Sequence, residues 1–164
     1  MPTTLVTPVE ERPVRQLSQV SSILSYMLAG NATFTVRSKL TGMRYTYRVR
    51  VPKYNSQKTQ FDKVWFVQVL VGPDNNSSYK YLGMITQSKD VISFKVTTAS
   101  LVNGMAKGQS GKTFAWLFRM LTVTSVLPEQ VEFWHSGTCG RCGKKLTVPE
   151  SIEMGIGPDC AGKL

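Results

Sequence analysis

The chain has 164 residues, 41% of them hydrophobic, which suits one domain with a real core plus an appendage. Its formal net charge of +10 points to polyanions or acidic protein surfaces as partners. No apolar run approaches the ~20 residues of a membrane span, and Met1-Pro-Thr-Thr-Leu-Val lacks the basic start and apolar core of a secretion signal, so a cytoplasmic protein with no membrane partner is expected.

Charge is unevenly placed. Residues 1–30 hold two basic and two acidic side chains, residues 31–126 hold fourteen against three, and residues 127–164 hold four against five. The middle of the chain is therefore the basic part.

In chain order, Pro2 and Pro8 among threonines and charges mark residues 1–12 as a flexible lead-in. From Pro13 to about Leu28, the spacing of Leu17, Val20, Ile23, Leu24, Met27 and Leu28 predicts an amphipathic helix, stopped by Gly30 and packed on the domain. Strands follow at Ala32–Arg37 and Met43–Val51. In the second, Met43, Tyr45, Tyr47, Val49 and Val51 alternate with Arg44, Thr46, Arg48 and Arg50, so one face is apolar and the other cationic.

After a polar loop over 53–62, Val64–Val71 reads as a strand buried on both faces. Turn residues over 72–78 lead to strands at Tyr79–Thr86 and Val91–Thr97, making about five in an antiparallel meander. Residues 98–112 read as a loop and Thr113–Leu121 as a second helix covering the apolar face. Gln130–Trp134 reads as a short extended piece. The expected architecture is α+β: an antiparallel sheet over residues 13–127, flanked by an N-terminal and a later helix, with a zinc-knuckle module over 128–164.

The strongest chemical signal lies in that module. His135, Cys139, Cys142 and Cys160, spaced H-x3-C-x2-C-x17-C, comprise the only histidine and all three cysteines. They supply four ligands for one tetrahedral Zn²⁺, with glycines after the paired cysteines to aim two thiolates at one point and turn backbone N–H groups toward sulfur. Pro149–Met154 reads as one or two helical turns that carry the chain round to Cys160, with Gly155 just past the end. A redox Cys-x2-Cys pair is the competing reading, but no βαβ pattern surrounds it and it leaves His135 and Cys160 unexplained. A closed four-ligand site would be structural.

The run from Cys139 to Cys160, with its Gly155-Ile-Gly-Pro-Asp-Cys ending, resembles a small zinc-binding domain of unknown function found at the ends of bacteriophage and actinobacterial proteins. The resemblance implies a metal and a phage-type setting, with the host cytoplasm as compartment. It implies no activity.

Two further stretches carry chemical signals. Ala106-Lys-Gly-Gln-Ser-Gly-Lys-Thr113 nearly matches a phosphate-binding loop, but it has alanine where the first glycine belongs and lies beside an antiparallel sheet. No catalytic constellation stands out elsewhere, and a non-enzymatic protein is expected. The other candidate site is the cationic strand face. Arg37, Lys39, Arg44, Arg48 and Arg50 cluster on one hairpin, with Tyr54, Tyr79 and Tyr81 available for base stacking, which predicts binding of DNA or RNA. A solvated sheet face shielded by arginine stems is the plain alternative for these residues, and an acidic host protein is the alternative partner.

Overall fold

The structure, a computed structural model, describes residues 15–52, 63–73, 78–147, 149–157 and 160. The lead-in expected over 1–12 and the loop expected over 53–62, with Tyr54, lie outside the described residues.

Seven strands form one sheet: β1 (Gln16–Leu17), β2 (Asn31–Ser38), β3 (Arg44–Arg50), β4 (Lys63–Leu70), β5 (Tyr79–Ser88), β6 (Val91–Lys95) and β7 (Val131–His135). Their order is β1-β7-β2-β3-β4-β5-β6, and every pairing is antiparallel. The expected count of about five is thus corrected to seven, in an α+β fold as expected.

Both extra strands come from one event. The extended piece before the cysteines is β7, which pairs with β2 from Phe34↔His135 to Ser38↔Val131. Its free edge then takes β1, with Gln16 opposite Trp134 and Leu17 opposite Phe133. Leu17 is buried, as its place in the apolar stripe predicts, but in a strand. The helix α1 is accordingly shorter than expected, Val20–Met27. Sheet pairing at an open edge has overridden a helical periodicity that only residues 20–28 needed.

One face of the sheet holds the core. Phe34, Tyr47, Val49, Val67, Val69, Ile85 and Phe133 are buried there with Ile23, Tyr26 and Met27 of α1. They also meet Phe114, Leu117 and Phe118 of α3 (Gln109–Arg119). Tyr47 donates to the carbonyl of Ser110 at 2.7 Å and its ring lies 5.1 Å from Phe114, which ties the centre of β3 to the start of α3. Burial pushes the Tyr47 phenol far above its ordinary range.

The expected loop over 98–112 is instead largely helical. A short helix, α2 (Thr98–Val102), is capped by the Ser100 hydroxyl, which accepts the Thr97 N–H and donates to the Thr97 carbonyl, and α3 starts four residues earlier than Thr113. Gly111 makes this possible, because a Cβ there would collide with the carbonyl of Met105. The near-match to a phosphate loop is therefore the packed joint between two helices and follows no strand. After α3 the chain passes through a π-helical turn, Met120–Thr124, and then into β7.

β4 is not buried on both faces as expected. Trp65, Val67 and Val69 point into the core, while Phe66 on the other side stays 40% exposed. That second face is the one the arginines occupy. No described helix is long and apolar enough to cross a membrane.

Candidate metal centre and cationic sheet face

The knuckle is a tight loop sewn to the sheet. The Gly143 N–H donates to the Cys139 carbonyl at 2.8 Å, and the Cys139 N–H donates to the Lys144 carbonyl at 2.8 Å. Thr138 bridges Lys145, which closes a small antiparallel turn. Gly143 has φ +79, a conformation that glycine adopts without penalty. The loop is held to the body through Asn31, at the start of β2, whose N–H donates to the Gly140 carbonyl, and through the Gly140 N–H, which donates to Gly155 just past α4 (Pro149–Met154).

This loop and the chain after α4 bring the Sγ atoms of Cys139, Cys142 and Cys160 within 4.8 Å of one another. Such a separation is close to the span of three thiolates around one ion with metal–sulfur bonds of ~2.3 Å. Cys139 and Cys160 are buried and Cys142 is exposed. The Gly157 N–H donates to the Cys139 sulfur at 3.2 Å, and Arg141 reaches the Cys160 sulfur at 3.9 Å.

Burial pushes the Cys139 thiol up, but the N–H groups of Gly157, Cys142 and Arg141 outweigh it and bring its pKa down to about 7. Cys142 receives the Lys144 N–H, yet burial and the neighbouring sulfurs of Cys139 and Cys160 leave its pKa raised. A pair in which Cys139 ionises readily and Cys142 resists, because a second negative charge would be crowded against the first, is what a cation relieves. The donor set fits a metal ion.

His135 is not part of that group. Its Nδ1 accepts from the Gly137 N–H at 3.0 Å and its Nε2 bonds the Ile152 carbonyl, so the ring is the tautomer protonated on Nε2. Burial lowers its pKa, opposed by the Ile152 bond and reinforced by Arg15, which favours the neutral ring. The structure thus brings together three of the four expected ligands. Among the described residues no other His, Cys, Asp or Glu joins them.

The cationic residues divide into two groups. Register sets Arg37 opposite Arg44, and the even positions of β3 carry Arg44, Arg48 and Arg50 on the face away from the core. Arg37, Arg44 and Arg50 are exposed. Arg37 lies across from Glu132, whose carboxylate accepts from the Trp134 indole at 2.8 Å. Lys39 is in the turn beyond β2, exposed, with its N–H on the Gln130 carbonyl.

Near the knuckle the character changes. Arg48 is only 9% exposed and lies over the Tyr79 ring at 3.7 Å. Arg50 bonds the Asn31 side chain at 3.2 Å. Burial, then the charge of Arg48, lowers its pKa, against a smaller opposing effect of Tyr79. Tyr79 is thus occupied by Arg48, and Tyr81 meets Phe66 edge to face at 6.0 Å. Phe66, Trp134 and Lys95 share this face by register and were missed in the sequence. Only the pairing, which sets Lys95 beside Met84 and Trp134 beside Thr35, identifies them.

Residues 132–164 match the model of a family described as a Family of unknown function (DUF6011), a stretch that runs from within β7 through the whole knuckle. The expectation of an uncharacterised domain near the C-terminal end is met. No curated protein and no solved structure matches the chain.

Proposed function

We propose that this is a non-enzymatic, zinc-containing accessory protein that binds nucleic acid through the cationic face of its sheet. The carrying observation is the register of β2 and β3, which sets Arg37, Arg44, Arg48 and Arg50 on the side opposite the core. Six residues of β3 at ~3.4 Å each separate Arg44 from Arg50 by ~20 Å, enough to meet several backbone phosphates. The half-exposed rings of Phe66, Tyr81 and Trp134 on the same face suit stacking by unpaired bases. Zinc is the metal of choice for three thiolates in a reducing cytoplasm, and its role here is to fix the knuckle. The phage-type resemblance of the knuckle gives this reading its setting, an infected host cell. Anisotropy of a labelled single-stranded oligonucleotide tests it: binding should be tight at low salt and weaken steeply as salt rises. No binding at low salt would remove the reading.

A second reading, a module that engages an acidic host protein, is favoured by one observation. A groove of about 480 Å³ between the β2–β3 turn and α3 is lined by Leu40, Met43, Tyr45 and Trp116, with Arg37 and Lys112 at its edge. Leu40 is 81% and Trp116 42% exposed there. An amphipathic acidic segment matches that surface. Co-purification from host lysate with and without nuclease separates the readings, since a protein partner survives nuclease and a nucleic-acid bridge does not.

A further inference from the structure

A second hollow lies on the cationic face where the sheet meets the knuckle. It has a volume of about 500 Å³, within the range of sites that enclose small ligands. Its floor is polar: the hydroxyls of Thr35 and Thr46, 2.8 Å apart, lie beside Arg48 and Arg50. Its far wall is the knuckle itself, with Ser136 and Thr138 hydroxyls 2.7 Å apart and Gly143. No Asp or Glu is among its described lining residues.

Three features decide what such a hollow accepts. Two arginines supply positive charge, the exposed Arg50 at the mouth and the nine-tenths-buried Arg48, whose charge is screened poorly by water. Each hydroxyl pair spends one proton internally and leaves the other for a ligand. Tyr79, one face of which is covered by Arg48, adds an aromatic side chain to the lining. Charge, hydroxyl donors and an aromatic side chain together match a phosphorylated sugar bearing a base.

We infer that this hollow is a binding site for one phosphate-bearing nucleoside unit, its phosphate held by Arg50 and Arg48 and its sugar by the threonine hydroxyls. The inference rests on the nucleic-acid reading when the unit belongs to a strand, and stands apart from it when the unit is a free nucleotide. It also makes the knuckle part of the binding surface, because Thr138 and Gly143 form one wall.

The test is a set of titrations of the full, zinc-loaded chain followed by backbone amide NMR. The probes are a nucleoside 5′-monophosphate, the same nucleoside without phosphate, inorganic phosphate, and a short single-stranded oligonucleotide. The monophosphate and the oligonucleotide should shift the amides of Thr35, Thr46, Thr138 and Gly143, and the nucleoside and inorganic phosphate should bind at least about tenfold more weakly. Arg50→Gln should weaken the monophosphate about tenfold. The double change Thr35→Val and Thr46→Val, which keeps shape and removes both partners of one hydrogen bond, should weaken it about fivefold.

If the oligonucleotide binds but shifts only the Arg37 and Arg44 end of the hairpin, and the monophosphate shifts nothing, the hollow is not the site and the nucleic-acid reading survives. Monophosphate binding in the hollow without oligonucleotide binding keeps the site as one for a free nucleotide and ends the broader reading. Monophosphate affinity unchanged in both variants overturns the inference, and silence from every probe overturns both.

Discussion

His135 donates from Nε2 to the carbonyl of Ile152, and through Nδ1 it receives the Gly137 N–H, so one neutral ring clamps β7, the knuckle turn and α4 together. Its position beside the cysteines in sequence invites the role of fourth ligand. Its two hydrogen bonds describe a support for the chain that presents them.

This gives a direct prediction. His135→Gln should retain the metal content of the parent, while thermal unfolding shows a loss of about 1–3 kcal/mol because buried partners at Gly137 and Ile152 lose their bonds. Elemental analysis that finds the metal gone from a folded His135→Gln protein would restore His135 as a ligand.

Metal removal is the second expectation. The protein should carry about one zinc per chain, and Cys142→Ser should lose most of it. Hydrogen exchange should then accelerate over Gly137–Leu146, the loop closed by the Cys139, Gly143 and Leu146 hydrogen bonds, with little change in β3 and β4. Protein prepared without chelators that contains no metal would contradict this.

The third concerns the joint between α1 and the knuckle. Gly155 has φ +74, and a Cβ there would strike the Tyr26 ring, whose hydroxyl donates to the Thr33 carbonyl at 2.7 Å. Gly155→Ala should therefore destabilise by more than the ~1 kcal/mol of backbone strain alone, measured by denaturant unfolding. Tyr26→Phe should cost about 1 kcal/mol, since it removes the hydroxyl and leaves the packing.

The core and its opposite face were legible in β3 because strict alternation leaves little choice of which side is buried. Tyr47 and Val49 went inside and Arg44 and Arg50 outside, as period two requires. β1 was hidden because it is two residues long, whereas the extended conformation of Gln130–Trp134 was legible and only its place in the sheet, set by its partner β2, was encoded in no local pattern. The early start of α3 was hidden for another reason: Gly108 and Gly111 argue for a loop until the close approach of Gly111 to the Met105 carbonyl is seen. At the candidate metal centre, the clustering of the three cysteines was legible from their spacing, whereas the engagement of His135 depends on where α4 returns.

A fourth expectation follows from the helix joint. If Ala106–Thr113 is packing and not a nucleotide loop, Lys112→Ala should leave thermal stability with Mg-ATP the same as without it. An ATP-induced stabilisation of the parent that vanishes in the variant would reopen an enzymatic role.

The most direct test of the central claim is the salt dependence of single-stranded oligonucleotide binding in the parent and in the double variant Arg37→Ala, Arg44→Ala. Both side chains are exposed and stand opposite one another on the open face, so the variant should fold normally. Each lost phosphate contact should flatten the plot of log affinity against log salt by ~0.7, a total of roughly 1.4 for the pair. A folded variant that binds with the parent's slope, or a parent that does not bind at low salt, would contradict the account.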